Sequence, residues 1–318
     1  MLEALFSDPN RTLCVESRID RPDPPYRPLF FYHVPKTGGL SFFVALSAAI
    51  NFANKRADRM GALGPDTRID RFDEPPPHRR DYQAAYAALA SHASYGLHHR
   101  FRQSFLLTTI VRDPLGRVRS DYTYNSMRHR RPVSGAGFEA MLRDEINTNR
   151  SVKQLGGLSR FDQPAPPGLY EQAIETLDRA FHAFGTHQDV SRLIRLYLSY
   201  YRLPNILMDR VNTTTPAYQL DATPWRAEIE ARNQQDLRLY EYVRAHRRFP
   251  ELGETSAACH PVTVIINEVD NSDRSASRGL GVDTARLAQM VEQNRGRASG
   301  LAISLDWLVG EGSNRGDE

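Results

Sequence analysis

A chain of 318 residues, of which 40% are hydrophobic and 25% charged, has the composition of a globular protein, which excludes a wholly disordered chain. Its net charge of +3 is too small to indicate nucleic-acid binding, yet only three of its 41 basic residues are lysine, and the arginine fork suits phosphate or sulfate oxygens. With two cysteines, no cluster at metal spacing and no apolar run of about 18 residues, the sequence predicts a cytoplasmic protein without disulfide framework, metal site or membrane span.

The first part of the chain predicts a strand, a turn and a helix behind an irregular lead-in. Residues 1–27 are rich in Pro, Arg and Asp and predict no regular element. The apolar and aromatic run 29–34 has the length and residue types of a buried strand. A Gly-Gly turn follows, and Ser41 is the expected N-cap of a helix with apolar residues at helical spacing. The Ala-rich stretch from Tyr82 to Ala90 predicts another helix.

The rest of the chain predicts strands that alternate with helices. A strand over 105–111 is followed by a helix that starts at Pro114 and ends near Met127. Later segments predict helices over 170–184, 190–200 and 227–249, a strand over 205–208, and, in the tail, a strand over 262–266 and a helix near 287–291. This alternation predicts an α/β fold with a mostly parallel sheet covered by helices on both faces.

A short glycine-containing loop joins the first predicted strand to the first helix. It reads PKTGGLS from Pro35 to Ser41. Glycines let backbone N–H groups turn toward a phosphate, and the helix start, Lys36 and two hydroxyls add further attraction for an anion. Because Lys36 precedes the glycines, the loop is not the GxxxxGK[ST] motif of P-loop kinases. The alternative is a plain strand-to-helix turn without a ligand.

A second anion-binding pattern follows the second strand. Arg112 leaves the predicted strand end, and Ser120 comes eight residues later, about two helical turns. Both side chains are expected to face one site near the carboxyl edge of the sheet. The alternative is a local pair between Arg112 and Asp113, with Ser120 merely exposed to solvent.

Together the two patterns resemble a known family. The segment from Tyr32 to Ser41 resembles the HxPKTGGTS loop of carbohydrate sulfotransferases of the heparan sulfate 2-O-sulfotransferase type and their bacterial relatives. The segment from Arg112 to Tyr122 is similar to the family's RDPxxRxxSxY motif. Weaker similarities to family segments occur at 91–98, 149–157, 205–213 and 233–240. The resemblance covers roughly residues 28–250, leaving the lead-in 1–27 and a tail 251–318 without an assigned role.

The resemblance implies a P-loop-like sulfotransferase fold and 3'-phosphoadenylyl sulfate (PAPS) as cofactor, with adenosine 3',5'-bisphosphate as product and no metal. In the family the first loop holds the 5'-phosphosulfate, and the Arg and Ser of the second motif hold the 3'-phosphate. The residues of this chain thereby assigned to the cofactor are Pro35, Lys36, Thr37, Gly38, Gly39, Leu40, Ser41, Arg112, Ser120, Arg210 and Thr213.

Sulfuryl transfer to a hydroxyl needs a base for the acceptor and a cation for the leaving group. Lys36 is assigned to the leaving phosphate because charge develops there during in-line attack. His92 is assigned as the base, since imidazole titrates near neutral pH and its position resembles the family's GH motif. His98 and His99 remain the alternative bases, and His33 is expected to support the loop.

Three departures from the family pattern affect the expected contacts. Leu40 stands where the family has a Thr, Ser91 where it has a Gly, and residues 151–153 read Ser-Val-Lys instead of Gln-Thr-Arg. A carbohydrate hydroxyl is the expected acceptor, which the basic runs 98–102 and 128–131 could grip if they are not ordinary solvated faces. The rival functions are a nucleotide-dependent phosphotransferase and an inactive relative that binds PAPS or polyanions. The sequence indicates no oligomeric state.

Overall fold

The computed structural model describes residues 13–14, 27–39, 41–42, 45–46, 88–100, 104–201, 205–208, 216–250 and 263–266. Its strands are β1 (Leu13–Cys14), β2 (Leu29–Tyr32), β3 (Ala88–Ser91), β4 (Leu106–Val111), β5 (Phe181–Thr186), β6 (Asn205–Met208) and β7 (Thr263–Ile266). Its labelled helices are α1 (Pro114–Arg128), α2 (Gly135–Leu142), α3 (Arg150–Leu155), α4 (Leu169–Ala180), α5 (Val190–Tyr200), α6 (Arg226–Arg232) and α7 (Gln234–Ala245). One more helix begins at Gly39.

Four parallel strands in the order β3-β2-β4-β5 form the main sheet. The central strands β2 and β4 are buried throughout, as expected for parallel strands with helices on both faces, whose sequences are nearly continuous apolar runs. In the register, Phe30 lies opposite Leu107 and Val111 opposite Thr186. All four carboxyl ends therefore meet at one edge of the sheet.

Alternate side chains of β2 divide the core between the two faces of the sheet. Phe30 and Tyr32 belong to a buried cluster to which α3, α4 and α7 contribute. Phe31 points the other way and packs on Phe42 of the helix that begins at Gly39, which in turn packs edge-on against Tyr197 of α5. Helices thus cover both faces, and the predicted α/β class with a parallel sheet flanked by helices is confirmed.

A second, three-stranded sheet has the order β1-β6-β7, with β6 antiparallel to β1 and parallel to β7. The strands β6 and β7 fall within the segments predicted as strands. The two-residue strand β1 lies in the lead-in, where the sequence predicts no element. No helix within the described ranges is long and apolar enough to cross a membrane.

Three sequence-based helix predictions are wrong in part. Ala88, Leu89 and Ala90 form β3 beside β2, because hydrogen bonding to a neighbouring strand overrides the helix propensity of alanine. The helix predicted over 170–184 ends at Ala180, and the residues that follow it form β5. The helix predicted over 227–249 consists of α6 and α7, which are separated at Asn233.

The remaining predictions agree with the structure where it describes the chain. The strands over 29–34 and 105–111 are β2 and β4, and the helix from Pro114 ends at Arg128. The predicted helix over 190–200 matches α5. Residues 82–87 and the helix predicted near 287–291 lie outside the described residues.

Candidate active site

The chain leaves the four strands of the main sheet at one edge and places polar residues after each. His92 follows β3, the PKTGG segment follows β2, Arg112 follows β4 and His187 follows β5. Because the strands are parallel neighbours, these residues are brought close together although they are far apart in sequence. This edge is where parallel α/β sheets bind ligands.

The loop after β2 has an unusual backbone. Lys36 has φ 65° and Gly38 has φ 96°, both in the left-handed region. That region costs a non-glycine residue about 1–2 kcal/mol, and such strain concentrates at functional sites. The Phe42 N–H donates to the Gly38 carbonyl at 3.3 Å, so Gly38 is the N-cap of the helix. The sequence-based prediction of Ser41 as the N-cap is therefore wrong. Ser41 instead lies in the first turn, half-buried.

Side chains behind this loop fix its shape. The Thr37 hydroxyl is buried and donates to the Val34 carbonyl at 2.8 Å, so it braces the loop from within. The His33 ring packs so closely on Gly39 that a Cβ there would lie 2.1 Å from the imidazole. The same ring stacks on Phe31 at 5.3 Å between centroids. Gly39 is therefore required by close packing against His33.

The two predicted anion loops are in direct contact. The Lys36 ammonium lies 3.6 Å from the centre of the Tyr124 ring in α1, a cation–π contact. One Arg112 terminal nitrogen donates to the Lys36 carbonyl at 3.2 Å. Both basic residues are therefore held at the same side of α1.

The Arg112 side chain is half-buried, and its surroundings change its pKa. Burial lowers the pKa of Arg112 from its usual value, although Asp113 acts in the opposite direction. The Arg112 Nε is inaccessible and has no hydrogen-bond partner in the described part of the chain, and the nearest Asp113 oxygen is 3.9 Å away. Asp113 instead caps α1 by accepting from the Gly116 N–H at 2.6 Å. The local Arg112–Asp113 pair, the alternative raised by the sequence, is thus present as a loose ion pair, but Ser120 is half-buried and not merely exposed.

One face of α1 links these groups. Gly116, Ser120 and Tyr124 are spaced four residues apart and so share a helix face. A Cβ at Gly116 would lie 2.8 Å from Arg112 Nε, so glycine lets Arg112 lie against the helix start. Tyr124 contacts Lys36 one turn beyond Ser120. Ser120 is thus half-buried on the helix face that both basic side chains approach.

The His92 ring is held by a hydrogen bond at Nδ1. Its Nδ1 lies 2.8 Å from the His33 carbonyl oxygen, and its ring lies 4.4 Å from the His33 ring. Since a carbonyl only accepts hydrogen bonds, we assign the proton to Nδ1, which puts the lone pair of the neutral ring on Nε2. Gln154 of α3 also donates to this carbonyl, at 3.3 Å. His92 is therefore fixed next to the PKTGG loop.

At His98 the ring Nδ1 accepts a hydrogen bond, whereas at His92 it donates one. The Tyr32 hydroxyl accepts from the N–H groups of Gly96 and His98, so its own proton points to His98 Nδ1 at 2.6 Å. Burial lowers the pKa of His98 to about 4, and the neighbouring His99 acts in the same direction. The basic nitrogen of His98 is thus used by Tyr32, while His99 is exposed. His92 is the better geometric candidate for a base.

The segments 149–157 and 233–240 cap each other's helices. The Asn149 side chain accepts from the N–H groups of Gln235 and Asp236 at the start of α7. The Asp236 carboxylate accepts from the N–H groups of Ser151 and Val152 at the start of α3. Asp236 also lies 3.8 Å from Arg117, and both side chains are almost fully buried. These segments stabilise the fold.

Residues 151–153, which depart from the family pattern, also contribute to the packing of the fold. Lys153 is fully buried, and its ammonium donates to Glu145 Oε1 at 2.8 Å and to the Phe161 carbonyl at 3.1 Å. Ser151 and Val152 are buried as well. The three residues are therefore set within the fold and are not exposed for contact with an acceptor.

Sequence reasoning missed a third junction, between β5 and α5. Thr186 and Asp189 form a reciprocal capping box there, and His187 lies between them. Burial lowers the pKa of His187, and the Arg112 charge adds to this effect. A Cβ at Gly38 would lie 2.9 Å from Val190, so the junction also touches the PKTGG loop. The Thr-x-x-Asp spacing was the available signal, but because β5 was predicted largely as helix, no strand-to-helix junction was expected there.

Not every predicted site residue can be located. Leu40, Arg210 and Thr213 lie outside the described residues, and Pro35 is half-buried at the start of the loop. Within the described ranges, no group of three or more His, Cys, Asp or Glu residues could hold a metal ion.

Comparison with known proteins gives no family assignment. No protein-family model matches the chain, and no curated protein matches it at a significant level. A functional interpretation therefore depends on the motifs of the chain and on the geometry of this sheet edge.

Proposed function

We propose that this protein is a PAPS-dependent sulfotransferase with the sulfotransferase variant of the P-loop-like fold. The observation that carries the proposal is the joining of two predicted anion loops at neighbouring strand ends. Arg112 donates to the Lys36 carbonyl at 3.2 Å, and both residues approach the α1 face that carries Ser120. One ligand with two separated anionic groups fits this arrangement. The resemblance of the two motifs to the sulfotransferase family implies that this ligand is PAPS.

The residues present fit such a ligand. The Arg112 Nε is buried without a hydrogen-bond partner in the described part of the chain, a costly state that an anion would relieve. Arg112 and Ser120 would hold the 3'-phosphate. The segment 35–41, with its left-handed Lys36 and the helix start at Gly39, would hold the 5'-phosphosulfate. PAPS, when bound, supplies the activated sulfuryl group.

The side chains around the sheet edge have the chemistry that transfer requires. His92 would take the proton of the acceptor hydroxyl at Nε2, while the His33 carbonyl holds Nδ1 and keeps the ring in place. Lys36, on a backbone braced by Thr37 and Arg112, would stabilise negative charge that develops on the leaving oxygen. The acceptor is proposed to be a carbohydrate on the basis of the family resemblance alone.

The test is incubation with sulfur-labelled PAPS and a panel of glycans, lipids and small alcohols, in the presence of a magnesium chelator. The wild-type protein should label a member of the panel. Lys36→Ala should lower turnover by about 10²–10³-fold, the usual effect of removing one transition-state donor, without unfolding the protein. Arg112→Ala should mainly raise the KM for PAPS.

Arg179→Ala is the matched control, because Arg179 is an exposed cation on α4 that pairs with Glu175. Its turnover should equal that of the wild type. A Lys36→Ala protein with undiminished turnover would contradict the proposed role of the loop. Label transfer that occurs only when the chelator is left out would contradict the metal-free mechanism expected here.

A further inference from the structure

The junction after β5 lies directly beside the junction that carries Arg112. Val111 and Thr186 are register partners at the ends of β4 and β5. The next residue on each strand is therefore Arg112 on one side and His187 on the other. Because Val190 touches the PKTGG loop at Gly38, the β5 junction is packed against both predicted anion loops.

One ring nitrogen of His187 is buried and finds no hydrogen-bond partner among the residues that the structure describes. Its Nδ1 is inaccessible to solvent and makes no hydrogen bond to any residue within the described ranges. The Nε of Arg112, on the neighbouring strand end, is likewise buried without a hydrogen-bond partner in this part of the chain. Two buried nitrogens that find no acceptor in the described structure, one after each of two adjacent strands, are costly to a folded protein unless a ligand pairs with them.

The carboxylates near His187 are already engaged. One Asp189 oxygen accepts from the Thr186 N–H at 2.9 Å and from its hydroxyl at 2.8 Å, and it lies 3.2 Å from Arg247. Asp113 caps α1 through the Gly116 N–H. Within the described ranges neither acid accepts a hydrogen bond from His187 Nδ1. An external anion would supply the acceptor that His187 Nδ1 and Arg112 Nε lack among the described residues.

The charge state of His187 suits a donor to an anion. Burial lowers the pKa of His187, and the Arg112 charge lowers it further, while Asp113 and Asp189 act in the opposite direction. The ring is thus mainly neutral at neutral pH, and the neutral ring can carry its proton on Nδ1. Such a ring adds a directed hydrogen bond without requiring a second cation next to Arg112.

We propose that His187 is a ligand, together with Arg112, of the 3'-phosphate of the bound nucleotide, and that it selects nucleotides carrying this phosphate. This inference rests on the proposed function. It adds a specificity residue from the junction after β5, a segment outside both recognised motifs. The predicted consequence is an energetic coupling between the His187 ring and the 3'-phosphate only.

Calorimetric titration with adenosine 3',5'-bisphosphate and with adenosine 5'-phosphate tests the coupling. His187→Leu should weaken binding of the bisphosphate about tenfold and change binding of the monophosphate less than about twofold. His187→Asn, whose amide nitrogen can stand near the position of Nδ1, should recover most of the lost affinity. His246→Asn is the control, because His246 is exposed at the end of α7.

The possible failures can be told apart. If the wild-type protein binds no bisphosphate, the proposed function fails and this inference fails with it. If the wild type binds but His187→Leu binds as tightly, only the role of His187 is overturned. Equal losses for both nucleotides would show a general effect on the fold and would also overturn it. Thermal unfolding of the Asn variant verifies that the comparison is made on folded protein.

Discussion

Two histidines that follow β3 differ in the nitrogen that carries the proton. His92 donates from Nδ1 to the His33 carbonyl, whereas His98 accepts at Nδ1 from the Tyr32 hydroxyl. The sequence alone leaves both as candidate bases, because residue type and spacing do not show which neighbour each ring contacts. Because their protonated nitrogens differ, we expect His92 to affect turnover and His98 to affect the stability of the fold in acid.

His92 should be needed for turnover but not for nucleotide binding. We expect His92→Asn to lower kcat by about 10²–10⁴-fold, the usual contribution of a general base, with the Kd for adenosine 3',5'-bisphosphate unchanged. The acid limb of the wild-type pH–rate profile should also disappear, because a protonated imidazole cannot accept the acceptor's proton. Steady-state rates from pH 5 to 9 check this. A variant that keeps the acid limb would assign the base elsewhere.

His98 should make the fold sensitive to acid. Its pKa is about 4 in the fold, below the usual value of an imidazole near 6.5, so the unfolded chain binds a proton that the folded protein does not. The stability that this group contributes is fully present above pH 6.5 and decreases as the pH falls toward 4. Urea midpoints between pH 7 and 4 should therefore fall less steeply for His98→Asn than for the wild type. Parallel curves would contradict this.

At the scale of elements, α3 and α7 act as one unit although their sequences are about 80 residues apart. Each helix start is capped by a side chain from the other segment, and Asn149 adopts φ 44°, a left-handed conformation that Asn tolerates. Through Gln154, α3 also donates to the carbonyl that orients His92. The caps therefore connect the stability of the helices to the geometry of the candidate site.

Asp236→Ala tests this unit. Removing the carboxylate uncaps α3 and leaves the buried Arg117 without its ion-pair partner, so we expect the free energy of unfolding to fall by about 3–5 kcal/mol. Urea unfolding measures the change. Asp162→Ala is the control, since Asp162 is exposed and pairs with its neighbour Arg160; its midpoint should not move. A loss for Asp236→Ala no larger than for this control would remove the capping role.

At the scale of the whole molecule, the strongest sequence signals concern the buried centre of the main sheet. The runs Leu29–Tyr32 and Leu106–Val111 are apolar, short and followed by turn residues, which is why β2, β4 and the two loops after them could be predicted. The two edge strands, β3 and β5, could not be predicted in this way. The sequence of β3, ALAS, favours a helix, and β5 continues the apolar spacing of α4 without a break. Because β5 was not predicted, the site position of His187 directly after it was not predicted either.

In the proposed function, two neighbouring strand-to-helix junctions hold the two ends of one nucleotide. Titration calorimetry and thermal unfolding with adenosine 3',5'-bisphosphate, without added metal, test it most directly. We predict one bound nucleotide per chain, about 2.7 kcal/mol of stabilisation at a free concentration of 100 times Kd, and weaker binding in both Lys36→Ala and Arg112→Ala. Absence of both heat and thermal stabilisation at saturating nucleotide would contradict the claim.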